Sequence, residues 1–274
     1  MVCGMTRDTP ESLHESPPRT EGDADFGFRR VPVTAKKGMV REVFDSVASK
    51  YDVMNDLMSL GIHRLWKDAF IDRLNPRPGQ HLLDVAGGTG DIAFRFLDRT
   101  RRRAASTGGA PARVTVCDIN NAMLSVGRDR AIDRGIVSGI DWVCGDAESL
   151  PVPSGSVDCY TIAFGLRNVT HIDLALAEAR RVLKPGGRMM CLEFSKVVLP
   201  LLEKPYDLYS FEVLPRIGSL VAGDAEAYRY LAESIRRFPP QEELVERMQA
   251  VGFGQVSYRN LSGGIAAIHS GWRL

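Results

Sequence analysis

Between residues 81 and 194, short apolar runs alternate with longer stretches whose apolar residues recur every three or four positions. The runs at 81–86, 113–118, 140–144, 157–164 and 188–194 predict strands. The stretches at 91–98, 121–134 and 171–183 predict helices. Strand and helix in alternation give a doubly wound, mostly parallel sheet with helices on both faces. Upstream, residues 38–74 carry helical spacing (Val40, Val43, Phe44, Val47) and stop at Asn75-Pro76-Arg77-Pro78-Gly79, predicting an N-terminal helical cap over 38–75. Downstream, the insertion 198–237 holds Tyr206, Tyr209, Tyr228 and Tyr230 beside Phe211 and reads as a lid over a substrate pocket. Residues 240–274 predict a helix (241–251) and two short strands (254–258 and 264–269), an antiparallel hairpin at one sheet edge. The expected fold class is therefore α/β, with one domain over 31–274 and its core at 81–195.

Composition narrows this only slightly. With 44% hydrophobic and 25% charged residues, the 274-residue chain can bury one large core. A formal net charge of +1 creates no global field for a polyanion, so nucleic acid is not an expected partner. The basic run Arg99, Arg101, Arg102 and Arg103 reads first as a solvated helix end, and second as a contact for anionic lipid or RNA. The five cysteines never reach CxxC spacing and are expected to be reduced core residues, and no metal site is expected. No stretch approaches the roughly 18 apolar residues that span a bilayer. The first 30 residues carry Asp8, Glu11, Glu15, Glu21, Asp23 and Asp25, which favours a disordered tail over an acid-poor transit peptide and a cytoplasmic location.

The chemistry enters at Asp84-Val85-Ala86-Gly87-Gly88-Thr89-Gly90, the first strand-to-helix turn. In an open parallel sheet the ligand sits beyond the carboxyl ends of the strands, and glycines let the backbone approach it closely. Gly88-Thr89-Gly90-Asp91-Ile92-Ala93 also fits the dinucleotide form GxGxxA, so the turn alone does not choose between NAD and S-adenosylmethionine. Asp118, ending the second strand, is placed to accept two ribose hydroxyls, which both cofactors present. Asp146, ending the third, is placed to take an adenine amino group, with the Ala147 amide beside it for a ring nitrogen. That pair favours an adenosyl ligand without pyrophosphate. The plainer readings are a helix cap for Asp118 and a loop turn for Asp146.

Three blocks go further: Tyr51-Asp52-Val53-Met54-Asn55-Asp56-Leu57-Met58-Ser59 with Gly61-Ile62-His63-Arg64-Leu65-Trp66; Phe164-Gly165-Leu166-Arg167-Asn168-Val169-Thr170; and Arg181-Val182-Leu183-Lys184-Pro185-Gly186-Gly187-Arg188 with Leu192-Glu193-Phe194-Ser195. With them, the chain from about residue 25 to 274 resembles the ubiquinone and menaquinone biosynthesis C-methyltransferases, Rossmann-like class I enzymes that use S-adenosylmethionine. The resemblance implies methyl transfer to a ring carbon of a polyprenylated benzoquinol, of a demethylnaphthoquinol, or of both. It places cofactor contacts on Thr89, Asp118, Asp146 and Ala147, with Gly87 in the turn. A fifth family position, Ser in some relatives, is Ala163 here and is assigned no role.

Carbon attacks a sulfonium methyl only from an electron-rich ring, so the site must orient the quinol, exclude water and stabilise a developing phenolate. Arg167, after the fourth strand, is the expected stabiliser, and Asn168 adds a donor or holds a water. Tyr51 either hydrogen-bonds the quinol or closes the cofactor pocket. His171 is either a proton acceptor or a helix first turn, His63 and Trp66 read as cap packing, and Asp84 orients the turn or the cofactor's methionine end. The isoprenoid tail calls for a membrane surface, peripheral at the inner membrane, or a lipid-delivering partner within a quinone-biosynthesis complex; a homo-oligomer stays open. The competing readings are an NAD-dependent oxidoreductase and a non-catalytic lipid-presenting scaffold.

Overall fold

The computed structural model describes residues 22–47, 55–56, 59, 61–199, 208–209 and 225–274. Tyr51, Tyr206 and Phe211 lie outside them. The described chain begins with an antiparallel hairpin, β1 (Asp23–Phe26) and β2 (Arg29–Pro32), which corrects the expected disorder through residue 30. Its acids mask a period-two pattern: Ala24 and Phe26 turn inward, and Phe26 stacks on Tyr230 with ring centroids 4.2 Å apart.

Helix α1 (Val33–Val47) follows directly and starts five residues earlier than the predicted cap. Gly38 lowers helix propensity there without ending the helix. The other described cap helix, α2 (His63–Leu74), buries Trp66, Phe70, Ile71 and Leu74, and ends at Asn75 in the left-handed region (φ 54°).

The core then runs β3 (His81–Val85), α3 (Asp91–Thr107), β4 (Arg113–Asp118), α4 (Asn121–Asp133), β5 (Ile140–Cys144), β6 (Val157–Ala163), a 3-10 turn at Leu166–Asn168, α5 (Ile172–Val182) and β7 (Leu183–Phe194). Helix α3 runs nine residues past the predicted end, carrying the arginine run inside the helix to a stop at Gly108. Asn120 caps α4, its side-chain oxygen accepting the Met123 N–H at 3.1 Å. The chain closes with α6 (Ala225–Arg237), α7 (Gln241–Ala250), β8 (Gly254–Leu261) and β9 (Ala266–Trp272).

The sheet order is β5-β4-β3-β6-β7-β9-β8, parallel as far as β7, with β9 antiparallel to β7 and β8 antiparallel to β9. Successive residues of β3 are buried because both faces are covered. Leu82, Val114 and Met190 pack under α2, α3 and α6, whereas Leu83, Ile162 and Cys191 pack under α5 and α7. Part of the expected lid belongs to this core: Tyr228 and Leu231 of α6 are fully buried. From β3 the chain steps outward to β4 and β5 and then returns to β6. The strand order thus reverses at β3, where a doubly wound sheet opens its ligand crevice.

Candidate functional site

At the carboxyl ends of β3 and β6 the backbone bends sharply, with Ala86 at φ 50°, Gly88 at 51°, Gly90 at 83° and Phe164 at 58°. For Ala86 and Phe164 this conformation costs about 1–2 kcal/mol each. The turn is also closely packed: a Cβ on Gly87 would lie 2.7 Å from Val116 Cγ1 and 2.8 Å from Asp84 Oδ2. The bends frame a cavity of about 790 Å³, counting its open mouth, lined among others by Ala86, Gly88, Asp118, Asp146, Ala147, Phe164 and Asn168.

Asp118 ties the turn to β4. Its Oδ2 accepts the Gly88 N–H at 2.9 Å and its Oδ1 the Asn120 N–H at 2.8 Å. Burial pushes its pKa up to about 6, against the pull of these amides. Asp146 accepts the Glu148 N–H at 2.9 Å on Oδ1 and the Lys37 ammonium at 2.6 Å on Oδ2. Lys37 also lies 3.2 Å from Glu148. The Lys37 ammonium is partly buried, yet the two carboxylates raise its pKa. Helix α1 therefore roofs the cavity: Lys37 holds one end, and Asp45, accepting from Asn120 Nδ2 at 2.8 Å, holds the other. Val40, Arg41 and Phe44 line the span between.

Of the expected site residues, Asp118, Asp146, Ala147 and Asn168 meet in this cavity. Gly87 and Thr89 line a smaller one behind the turn, where the Thr89 hydroxyl accepts from Arg130 at 3.1 Å. Tyr51 lies outside the described residues. Arg167 departs from expectation. Its Nη1 donates to Glu193 Oε1 and to the Phe164 carbonyl, each at 2.6 Å, with 1% of either charged side chain exposed. The cation expected to face a phenolate is instead neutralised inside the wall. The backbone N–H of Arg167 adds a 3.3 Å contact to Glu193 Oε2, and burial raises the Glu193 pKa against the effect of Arg167. Asn168 is oriented from behind, its Oδ1 accepting the Tyr230 hydroxyl at 3.0 Å. His171 Nδ1 lies 3.1 Å from Glu148 on the rim, while His63 is buried beside Asp56.

Lys37, Glu148 and Glu193 escaped sequence reasoning. Glu193 had a signal: an acid between Leu192 and Phe194 in a buried strand demands a partner. Among the described residues no group of three His, Cys, Asp or Glu side chains is placed to hold a metal, and no helix is long and apolar enough to cross a membrane.

The residues present fit an adenosyl group. Gly88 leaves the turn without a side chain beside Asp118, and a Cβ there would stand 3.1 Å from Met123 Cε. Residues 32–273 match the model of the ubiE/COQ5 methyltransferase family. The chain is 55% identical to the mitochondrial 2-methoxy-6-polyprenyl-1,4-benzoquinol methylase of Danio rerio, over 93% of this chain and 86% of that one. It is 57% identical to the ubiquinone/menaquinone biosynthesis C-methyltransferase of Brucella anthropi, over 91% and 92%. Among solved structures, a [4+2]-cyclase, SpnF, superposes with a TM-score of 0.62 at 19% identity, covering 85% of this chain and 94% of that one. An S-adenosylmethionine-dependent methyltransferase from Aquifex aeolicus superposes at 0.57 and 14%, covering 84% and 98%. At such identities the structural likeness concerns the fold alone.

Proposed function

Because the chain belongs to the ubiE/COQ5 methyltransferase family, we propose that it methylates a ring carbon of a polyprenylated quinol in ubiquinone biosynthesis, menaquinone biosynthesis or both. It is an S-adenosylmethionine-dependent C-methyltransferase. The observation that carries the reading is the meeting of Asp118, Asp146 and Asn168 on one cavity, two acids for a nucleoside and an amide at the reacting end. The oxidoreductase reading fits less well. A dinucleotide gives its pyrophosphate to the helix N-terminus after the glycine turn. Here Asp91 stands in that first turn; burial opposes its ionisation, but Lys67 and Arg95 outweigh it and hold its pKa down at about 2.

S-adenosylmethionine supplies the electrophilic methyl when bound. Asp118 would hold the ribose, and Asp146 with the Ala147 amide the adenine. Because the Tyr230 hydroxyl occupies Asn168 Oδ1, the Asn168 amide nitrogen is the donor left for a quinol oxygen as negative charge builds there. Arg167 then acts as a positioning residue: with Glu193 it fixes the turn that presents Asn168. Helix α1 roofs the cavity and limits water at the reacting atoms. The isoprenoid tail supports peripheral placement at the inner membrane surface, or delivery by a partner of a quinone-biosynthesis complex.

The test is to incubate purified protein with S-adenosylmethionine and short-chain analogues of both quinols, and to find the added methyl by mass spectrometry. Transfer to carbon is expected. Tight NAD binding without S-adenosylhomocysteine binding would restore the oxidoreductase. Normal cofactor binding with no quinol methylated would leave a lipid-presenting scaffold.

A further inference from the structure

Beside the catalytic cavity, and sharing Val169 and Thr170 with it, lies a larger polar cavity of about 1330 Å³, counting its open mouth. Apart from Arg167 and Tyr230, the reaction proposed above uses none of its lining. Lys36 of α1 lines it and is 5% exposed. Its ammonium donates to the Val169 carbonyl at 2.9 Å and forms no ion pair among the described residues. Burial lowers its pKa against the longer-range pull of Asp25 and Glu148. A buried cation without a counter-ion is costly, and an ammonium has three donors, so donors remain for an anion. Two more are unmet on the same wall: Thr170 Oγ1 and Arg167 Nε are buried without a hydrogen-bond partner.

The acids of the wall are already engaged. Arg247 takes up Asp173 at 3.1 Å and Glu243 at 2.8 Å, and Asp25 lies 3.9 Å from Arg30. Arg237, ending α6, lies over the Phe28 ring at 5.7 Å from its centroid and forms no ion pair among the described residues. Helices α5 and α7 both begin at this cavity, and neither start has a side-chain cap. Each adds first-turn N–H groups and a partial positive charge. Donors thus converge from α1, from the turn after β6, from α6 and from two helix starts. A planar carboxylate meets few such directions, whereas a tetrahedral dianion meets many. We infer that this cavity is an anion site that takes a phosphate group, with Lys36 as its buried anchor and Arg237 as its exposed second cation. The group is either free phosphate or the head of a membrane lipid, which the shared Val169 and Thr170 would set next to the catalytic cavity. The site does not depend on the identity of the methyl acceptor.

Calorimetric titration of inorganic phosphate into the whole wild-type protein tests it, and saturable binding is expected. Loss of a charge-assisted contact predicts that Lys36→Met weakens phosphate roughly 10- to 100-fold. Arg237→Gln, at an exposed position that spares the fold, should weaken it about 3- to 10-fold. S-adenosylhomocysteine affinity should be unchanged in both. The double variant Arg101→Gln with Arg102→Gln, on α3, removes as much charge elsewhere and should leave phosphate binding intact. Sedimentation with phosphatidylcholine vesicles, with and without phosphatidate, separates the sources. Lys36-dependent binding to phosphatidate vesicles makes the lipid head the ligand; binding of inorganic phosphate alone makes it the free ion. Absence of saturable binding in both forms, binding that survives both Lys36→Met and Arg237→Gln, or an equal loss in the α3 double variant overturns the inference.

Discussion

Replacing Arg167 by Met tests whether the guanidinium belongs to the wall or to the reaction. In the wild type, Arg167 and Glu193 sit 2.6 Å apart with 1% of each side chain exposed. Glu193 also accepts the Phe194 N–H at 2.9 Å. Taking one partner out of such a pair strands the other charge, at a cost of about 3–5 kcal/mol. For a chain of this size that is a fall in Tm of roughly 10 °C. The cost should depend on pH. Burial already raises the Glu193 pKa. Without Arg167 it rises further, so the folded state binds a proton that the unfolded state lacks. The deficit of Arg167→Met should therefore shrink as pH falls from about 8 to 5. Glu193→Gln strands a guanidinium that keeps its charge, so its deficit should persist at pH 5. The double variant Arg167→Met with Glu193→Gln should lose less stability than the two single deficits summed. Urea unfolding at both pH values measures all four proteins without cofactor. A single Arg167→Met deficit under about 1 kcal/mol, or simple additivity in the double variant, refutes the wall assignment and returns Arg167 to direct contact with substrate.

Asp118→Ala should weaken S-adenosylhomocysteine about 100-fold or more, through loss of hydrogen bonds to a charged acceptor; unchanged calorimetric affinity would show the ribose assignment to be wrong. Burial pushes the Asp84 pKa from 3.8 up to about 7. The folded state thus holds a proton across that window that the unfolded state releases, so this group's stabilisation is complete at low pH and is lost as pH rises toward 7. Asp84→Asn should flatten that loss in urea midpoints measured without cofactor between pH 4 and 8, and an unaltered slope counts against it. Gly87→Ala forces a Cβ within 2.9 Å of the Asp84 carbonyl oxygen as well as Val116. It should cost about 1–3 kcal/mol and abolish tight cofactor binding; a variant with wild-type stability and affinity would show that the turn yields.

The parallel core was legible because β3, β4 and β6 are buried on both faces and their turns are marked by glycine and asparagine. The placement of Asp118 and Asp146 on the cavity was legible for the same reason, since residues at or just beyond the ends of buried strands face the crevice. The hairpin was not, because Asp23, Asp25, Arg29 and Arg30 make β1 and β2 read as a charged tail until Phe26 meets Tyr230, far along the chain. The end of the supposed lid failed similarly: aromatic content alone does not say whether Tyr228 and Tyr230 cover a pocket or fill a core. The pairing of Arg167 was not legible. Its position after β6 was readable, whereas the Glu193 that neutralises it lies on another strand, and only the β6–β7 pairing brings the two together.

The match to the family model begins at residue 32, just where the hairpin ends. A chain trimmed to that boundary would retain the cavity-lining side chains yet lose the ring that braces Tyr230. Phe26 presses on Tyr230, Tyr230 holds Asn168, and Asn168 lines the cavity, so the hairpin works as the fixed end of a short lever.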